Sequence, residues 1–140
     1  MRLPRDVRAI VLAAAGVARH DRVEVPVPPS ANNLFPTRKG SSRRFKSPGY
    51  KAWQAAAHPV LETLRRPAAF PVEVWLTLAG SGVNGRRDLA NVEKAVVDGL
   101  VATGVLPDDC LTYVVGIHLV YRPDGGEQRV AVEFAKGGGA

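Results

Sequence analysis

One cysteine, Cys110, and one methionine are all the sulfur in this 140-residue sequence. A lone thiol cannot close an internal disulfide, so a disulfide-stapled secreted scaffold is excluded and the fold must rest on its core. Long apolar runs are lacking too, and none approaches the roughly 18 residues a membrane helix needs. Ile10 to Val17 follows basic residues as a signal peptide would, but it is short and lacks a small-residue cleavage site, so it reads as mature protein. No membrane association is expected, and a reducing, cytoplasmic setting suits both absences. Gly80-Ser81-Gly82 lacks the lysine and hydroxyl residue of a phosphate-binding loop, which argues against a nucleotide cofactor. His20, His58 and His118 are scattered without metal-ligand spacing.

Basic charge is present in excess, and unevenly. The net charge is +6 and the pI near 10.0, a balance that favours polyanionic partners. Residues 1–66 hold thirteen Lys/Arg against four Asp/Glu, whereas residues 67–140 hold six against nine. Within 30–47 there is no acid at all, while Arg38, Lys39, Arg43, Arg44 and Lys46 stand among Phe35 and Phe45. A loop this long inside a small domain is usually functional or disordered.

Hydrophobic periodicity divides the rest. With 46% hydrophobic residues, one domain spanning 1–140 can bury a core. It carries an N-terminal helical extension (1–20), the basic loop (30–47) and a flexible tail (136–140). Val7, Ile10, Val11, Ala14 and Val17 recur at helical spacing; Val23, Val25 and Val27 alternate as a strand that stops at Pro28-Pro29. Ser47-Pro48 reads as an N-cap and first helical position ahead of Tyr50, Trp53 and Ala57, with Pro59 kinking or breaking that helix before Leu61 and Leu64. Val72 to Leu78 alternates as a strand. Leu89, Val92, Val96 and Leu100 mark a buried helix face that ends near Gly104. Leu111, Tyr113, Val115, Ile117, Leu119 and Tyr121 alternate along a second long strand, and Val130, Val132 and Phe134 close a hairpin with it. The fold class that follows is α+β, a mixed sheet with helices packed on it.

Three acids carry the chemistry. Asp88 stands at a helix start and Asp108-Asp109 in the next connection, so two loops at one end of a sheet would bring three carboxylates together. Such a cluster is costly without a cation, and Mg2+ accepts carboxylates, water and phosphate oxygens as ligands. Each acid also has a plain explanation, Asp88 as a helix cap and Asp108-Asp109 as a turn. Asp88, Asn91, Lys94 and Asp98 fall along one polar helical stripe, from which Lys94 could stabilise charge developing on a phosphate.

These residues resemble, in order and spacing, the RusA-type Holliday junction resolvases. Pro28-Pro29-Ser30-Ala31-Asn32 is similar to the family's P-P-S-x-N opening, and Ser47, Tyr50 and Trp53 to its S-x-x-Y-x-x-W helix start. Arg87-Asp88-Leu89-Ala90-Asn91-Val92-Glu93-Lys94, then Asp98-Gly99-Leu100 and Asp108-Asp109, resemble R-D-x-D-N-x-x-K, D-x-L and D-D. The resemblance runs from about Val25 to Phe134. It implies a RusA-like fold and a homodimeric endodeoxyribonuclease, dependent on Mg2+ or Mn2+, that resolves four-way DNA junctions by paired symmetric nicks in recombination and repair. It further implies that Asp88, Lys94 and Asp109 are catalytic and that Asp88, Asp108 and Asp109 hold the metal. Asn32, Arg38, Lys39, Arg43, Arg44, Lys46, Arg86 and Arg87 would then grip DNA, with Phe35 or Phe45 stacking on an exposed base or anchoring the loop.

Ala90 departs from the pattern, since the family carries a second aspartate there. Three accounts stay open: a natural subgroup that relies on Glu93 or water, an engineered inactive variant, or a junction-binding protein that has lost cleavage. A basic interaction protein with no nucleic-acid role would leave the acidic motif a coincidence.

Overall fold

The computed structural model describes residues 19–29, 47–83, 85 and 87–137. Six elements follow in the order β1 (Arg22–Pro26), α1 (Pro48–Leu61), β2 (Val72–Ala79), α2 (Leu89–Ala102), β3 (Val114–Arg122) and β4 (Arg129–Lys136). The helix expected over Val7 to Val17, all of the loop expected over 30–47 except Ser47, and residues 138–140 lie outside the described residues. Of the tail expected over 136–140, Lys136 ends β4 and the Gly137 N–H donates to the Pro71 carbonyl at 3.1 Å. The class is α+β: one sheet in the order β1-β4-β2-β3, with β2 and β3 parallel and β4 antiparallel to both β1 and β2.

Alternation decides which face of the sheet is covered. Val23 and Val25, Val130 and Val132, and Val74, Leu76 and Leu78 point to one side, where α1 contributes Tyr50, Trp53, Ala57 and Leu61, and α2 contributes Val92, Ala95, Val96 and Leu100. The helices meet closely at Gly99, where an added Cβ would lie 2.8 Å from Leu61 Cδ1.

Local chemistry sets the start of α1 as the sequence suggests. Ser47 Oγ accepts the Tyr50 N–H at 3.1 Å and Pro48 follows in the first turn. The Trp53 indole N–H donates to the Pro26 carbonyl at 2.7 Å, fastening the helix to β1. Pro59 does not break the helix. It sits near the C-terminal end, the helix closes at Leu61, and Leu64 is buried through a lone bridge with His20.

Three expectations need correction. Leu89, assigned to the buried face, opens α2 and is 38% exposed. The long strand starts later than its alternation suggests. Residues 111–113 form a turn in which the N–H groups of Tyr113 and Val114 both donate to the Cys110 carbonyl. A register shift then leaves Val115 unpaired, as in a bulge, so Val114 rather than Val115 faces the core. Finally, β3 and β4 form no hairpin. The connection after Arg122 crosses the carboxyl end of β2 and sends β4 between β1 and β2. Gly80 permits the crossing: its φ is +112° and a Cβ would stand 2.5 Å from Gln128 Cα. The Ser81 N–H to Gly126 carbonyl bond at 3.1 Å and the Gln128 amide to Ser81 carbonyl bond at 3.2 Å fasten it.

Candidate active site

Asp88 is the N-cap of α2. Its Oδ1 accepts the Ala90 N–H at 2.9 Å, which leaves Oδ2 of an exposed carboxylate outside that bond. The cap reading of this residue is therefore satisfied without using up its charge. One turn along, Asn91 is half-buried, and the exposed Lys94 ammonium sits 3.4 Å from Asp98 Oδ2. The polar stripe exists, apart from the Val92-Val96-Leu100 face, with an ordinary i,i+4 ion pair inside it.

Asp108 and Asp109 are exposed in the connection before β3. Asp108 Oδ1 accepts the Asp109 N–H at 2.8 Å, and the chain bends at Asp109.

The two loops are not at one end of the sheet. Because β2 and β3 are parallel, Asp88 follows the carboxyl end of β2 whereas Asp108-Asp109 precede the amino end of β3. Fourteen residues of α2 lie between them, about 21 Å of helix at 1.5 Å per residue. Among the described residues no group of three or more His, Cys, Asp or Glu side chains stands close enough to hold a metal ion. Hard carboxylate oxygens suit Mg2+ in kind, but a single chain holds them at two separate places. The sequence pattern locates each acid on a connection and says nothing of which end that connection occupies; strand direction decides it.

Arg87 is half-buried beside Asp88 and donates through its NH2 to the Pro28 carbonyl. Its Nε is buried without a hydrogen-bond partner, and burial pulls the guanidinium below its ordinary pKa. This bond ties the Pro28-Pro29 segment, which precedes the basic stretch 30–46 in sequence, to the start of α2. Asn32, Arg38, Lys39, Arg43, Arg44, Lys46 and Arg86, with Phe35 and Phe45, fall outside the described residues.

Sequence reasoning missed one feature. Leu78, Val83, Gly85, Arg87, Leu89 and Tyr121 line a largely apolar cavity of about 180 Å3 beside Asp88. Its walls come from a strand end, a loop, a helix start and the far end of β3, so no local pattern announces it.

The family model for endodeoxyribonuclease RusA matches residues 25–134. Among curated proteins none matches the chain. No described helix is long and apolar enough to cross a membrane. The matched span takes in α1, β2, α2 and β3 whole, with Asp88, Lys94, Asp108 and Asp109 on it, and the chain belongs to the RusA endodeoxyribonuclease family.

Proposed function

We propose that the protein is a divalent-metal-dependent endonuclease that resolves four-way DNA junctions by paired symmetric nicks, and that each of its two clefts is shared between the protomers of a homodimer. The placement of Asp88 and Asp108-Asp109 at opposite ends of one βαβ unit supports the shared cleft. A two-fold axis that brings the start of α2 in one copy to the β3 approach of the other joins the two halves twice over. Asp88 would hold Mg2+ or Mn2+ together with Asp109 and Asp108 of the partner subunit. When bound, the ion supplies polarisation of the phosphoryl oxygen and a more acidic attacking water.

The chain's own residues do the rest. Asp88 anchors the cleft through its cap bond to Ala90, and Lys94, which pairs with Asp98 at 3.4 Å, would counter charge on a phosphate oxygen. Arg86 and Arg87, with Asn32, Arg38, Lys39, Arg43, Arg44 and Lys46, grip phosphates flanking the branch point.

Mixing two inactive proteins tests the shared cleft. Asp88→Asn and Asp109→Asn variants, each unable to nick a synthetic junction alone, leave one intact cleft in every heterodimer. Random exchange should restore about a quarter of wild-type clefts, read as single-strand nicks. A mixture as inactive as its components would sink the shared cleft, and full activity of Asp88→Asn alone would sink the metal reading.

Ala90 favours a second reading, a junction-binding protein that no longer cleaves. Glu93, half-buried three residues further along α2 from Ala90, is a second carboxylate within one helical turn of it. Ala90→Asp should leave nicking within a few-fold if Glu93 or water already serves; a strong gain would support the binder.

A further inference from the structure

Leu111 is 80% exposed, the most exposed large apolar side chain among the described residues. It stands at the tip of the turn before β3, two residues from Asp109, with half-exposed Phe70 and Val115 also at that end of the sheet. At the opposite end, beside Asp88, lies the apolar cavity lined by Val83, Leu89 and Tyr121. A bare leucine next to one half of the acids and an apolar hole next to the other half are complementary in shape and polarity. Asp108 and Asp109 precede the leucine by three and two residues, so seating it carries them towards Asp88, where a bound cation would offset the like charge, and Arg87 lines the cavity.

The strand between them supplies the alignment. In the described sheet β3 pairs only with β2, so its outer edge is free. Leu111 lies at the amino end of β3 and Tyr121 near its carboxyl end. Two copies set edge to edge with β3 antiparallel would put each Leu111 at the other's cavity. Two residues of chain span at most about 7 Å, so a leucine seated against Leu89 carries Asp109 to the neighbourhood of Asp88.

We propose that the occupant of this cavity is Leu111 of a second copy, and that this reciprocal contact is the apolar anchor of the dimer. The proposal rests on the shared-cleft reading and specifies how the copies dock. Burying a leucine side chain is worth about tenfold or more in an equilibrium constant, and the two symmetry-related contacts together about a hundredfold.

Sedimentation of Leu111→Asp tests it. The residue is exposed, so the monomer should fold, with an unchanged circular dichroism spectrum, while the dimer weakens about a hundredfold. Val83→Phe, which fills the cavity from inside, should weaken the dimer likewise. Leu89→Cys should form an intermolecular disulfide with native Cys110 on mild oxidation, visible as a cross-linked dimer that Cys110→Ser abolishes. A Leu111→Asp protein that dimerises as tightly as wild type overturns the proposal. So does a cavity-filled variant that keeps its dimer but loses junction binding, since the cavity would then serve an unstacked base. Heterodimer complementation separates the two ideas: restored nicking with an unweakened Leu111→Asp dimer removes only the docking contact, whereas a weakened dimer with no complementation removes only the shared cleft.

Discussion

Asp88 caps α2 and, in the proposed function, would hold the metal with the same carboxylate, two roles that can be separated by choice of substitution. Asparagine caps a helix about as well as aspartate, so Asp88→Asn should change thermal stability by no more than a few tenths of a kcal/mol while abolishing metal-dependent nicking. Asp88→Ala should lose both, with about 1 kcal/mol of stability gone. A calorimetric scan beside a nicking assay checks the pair. Asp124 offers a contrast without any tie to the acids. The Arg129 guanidinium, held at 2.7 Å, keeps its carboxyl below the ordinary value of 3.8. A carboxyl whose pKa is lower folded than unfolded stabilises the fold fully above the unfolded value, and that contribution disappears as pH falls through the folded one. Wild type should therefore exceed Asp124→Asn in stability at neutral pH, and the two denaturation midpoints should converge as pH drops below about 4. A gap that persists undiminished in acid would show that Asp124 acts through packing instead.

Among the elements, those with a strong local signature are the ones that the sequence reveals. Ser47-Pro48 starts α1 because a hydroxyl accepts a free N–H and proline needs none, and Val72 to Leu78 is a strand because period-two alternation matches a half-covered sheet. The acids stand on the two connections where their spacing put them. What alternation cannot convey is which strand lies beside which. The pattern over Val130, Val132 and Phe134 fits a hairpin with β3 as well as insertion between β1 and β2, and the difference rests on a backbone approach at Gly80 that only the folded chain exhibits. The same limitation hid the separation of Asp88 from Asp109, because parallel pairing of β2 with β3 is a nonlocal fact. Leu111 was misread for a related reason: its turn and the extra Val115 shift the strand by a residue, and a shift of one exchanges the two faces. Gly80→Ala should then cost about 2–3 kcal/mol, since neither the positive φ nor the Gln128 backbone can yield cheaply. Chemical denaturation measures it, and a loss under 0.5 kcal/mol would mean that the crossing has room to spare.

For the whole molecule, segregated charge and the proposed reciprocal dimer would act together. Arg38, Lys39, Arg43, Arg44 and Lys46, with Arg86 and Arg87, would supply phosphate contacts, and each contact with duplex DNA adds about 0.9 to the slope of log affinity against log salt. Replacing Arg43 and Arg44 with alanine should weaken junction binding at low salt and flatten that slope by about 2; an unchanged slope would remove the loop from the interface. The parallel βαβ unit carries a consequence for distance. If each cleft takes Asp88 from one copy and Asp109 from the other, then every protomer reaches from one cleft to the other along its own α2. That helix becomes a ruler, rigid because its Val92, Val96 and Leu100 are locked in the core. The two Mn2+ ions of a loaded dimer should stand on the order of 20 Å apart, a spacing that pulsed electron resonance reads directly. The gap between the paired cuts would thus be set by the length of one fourteen-residue helix.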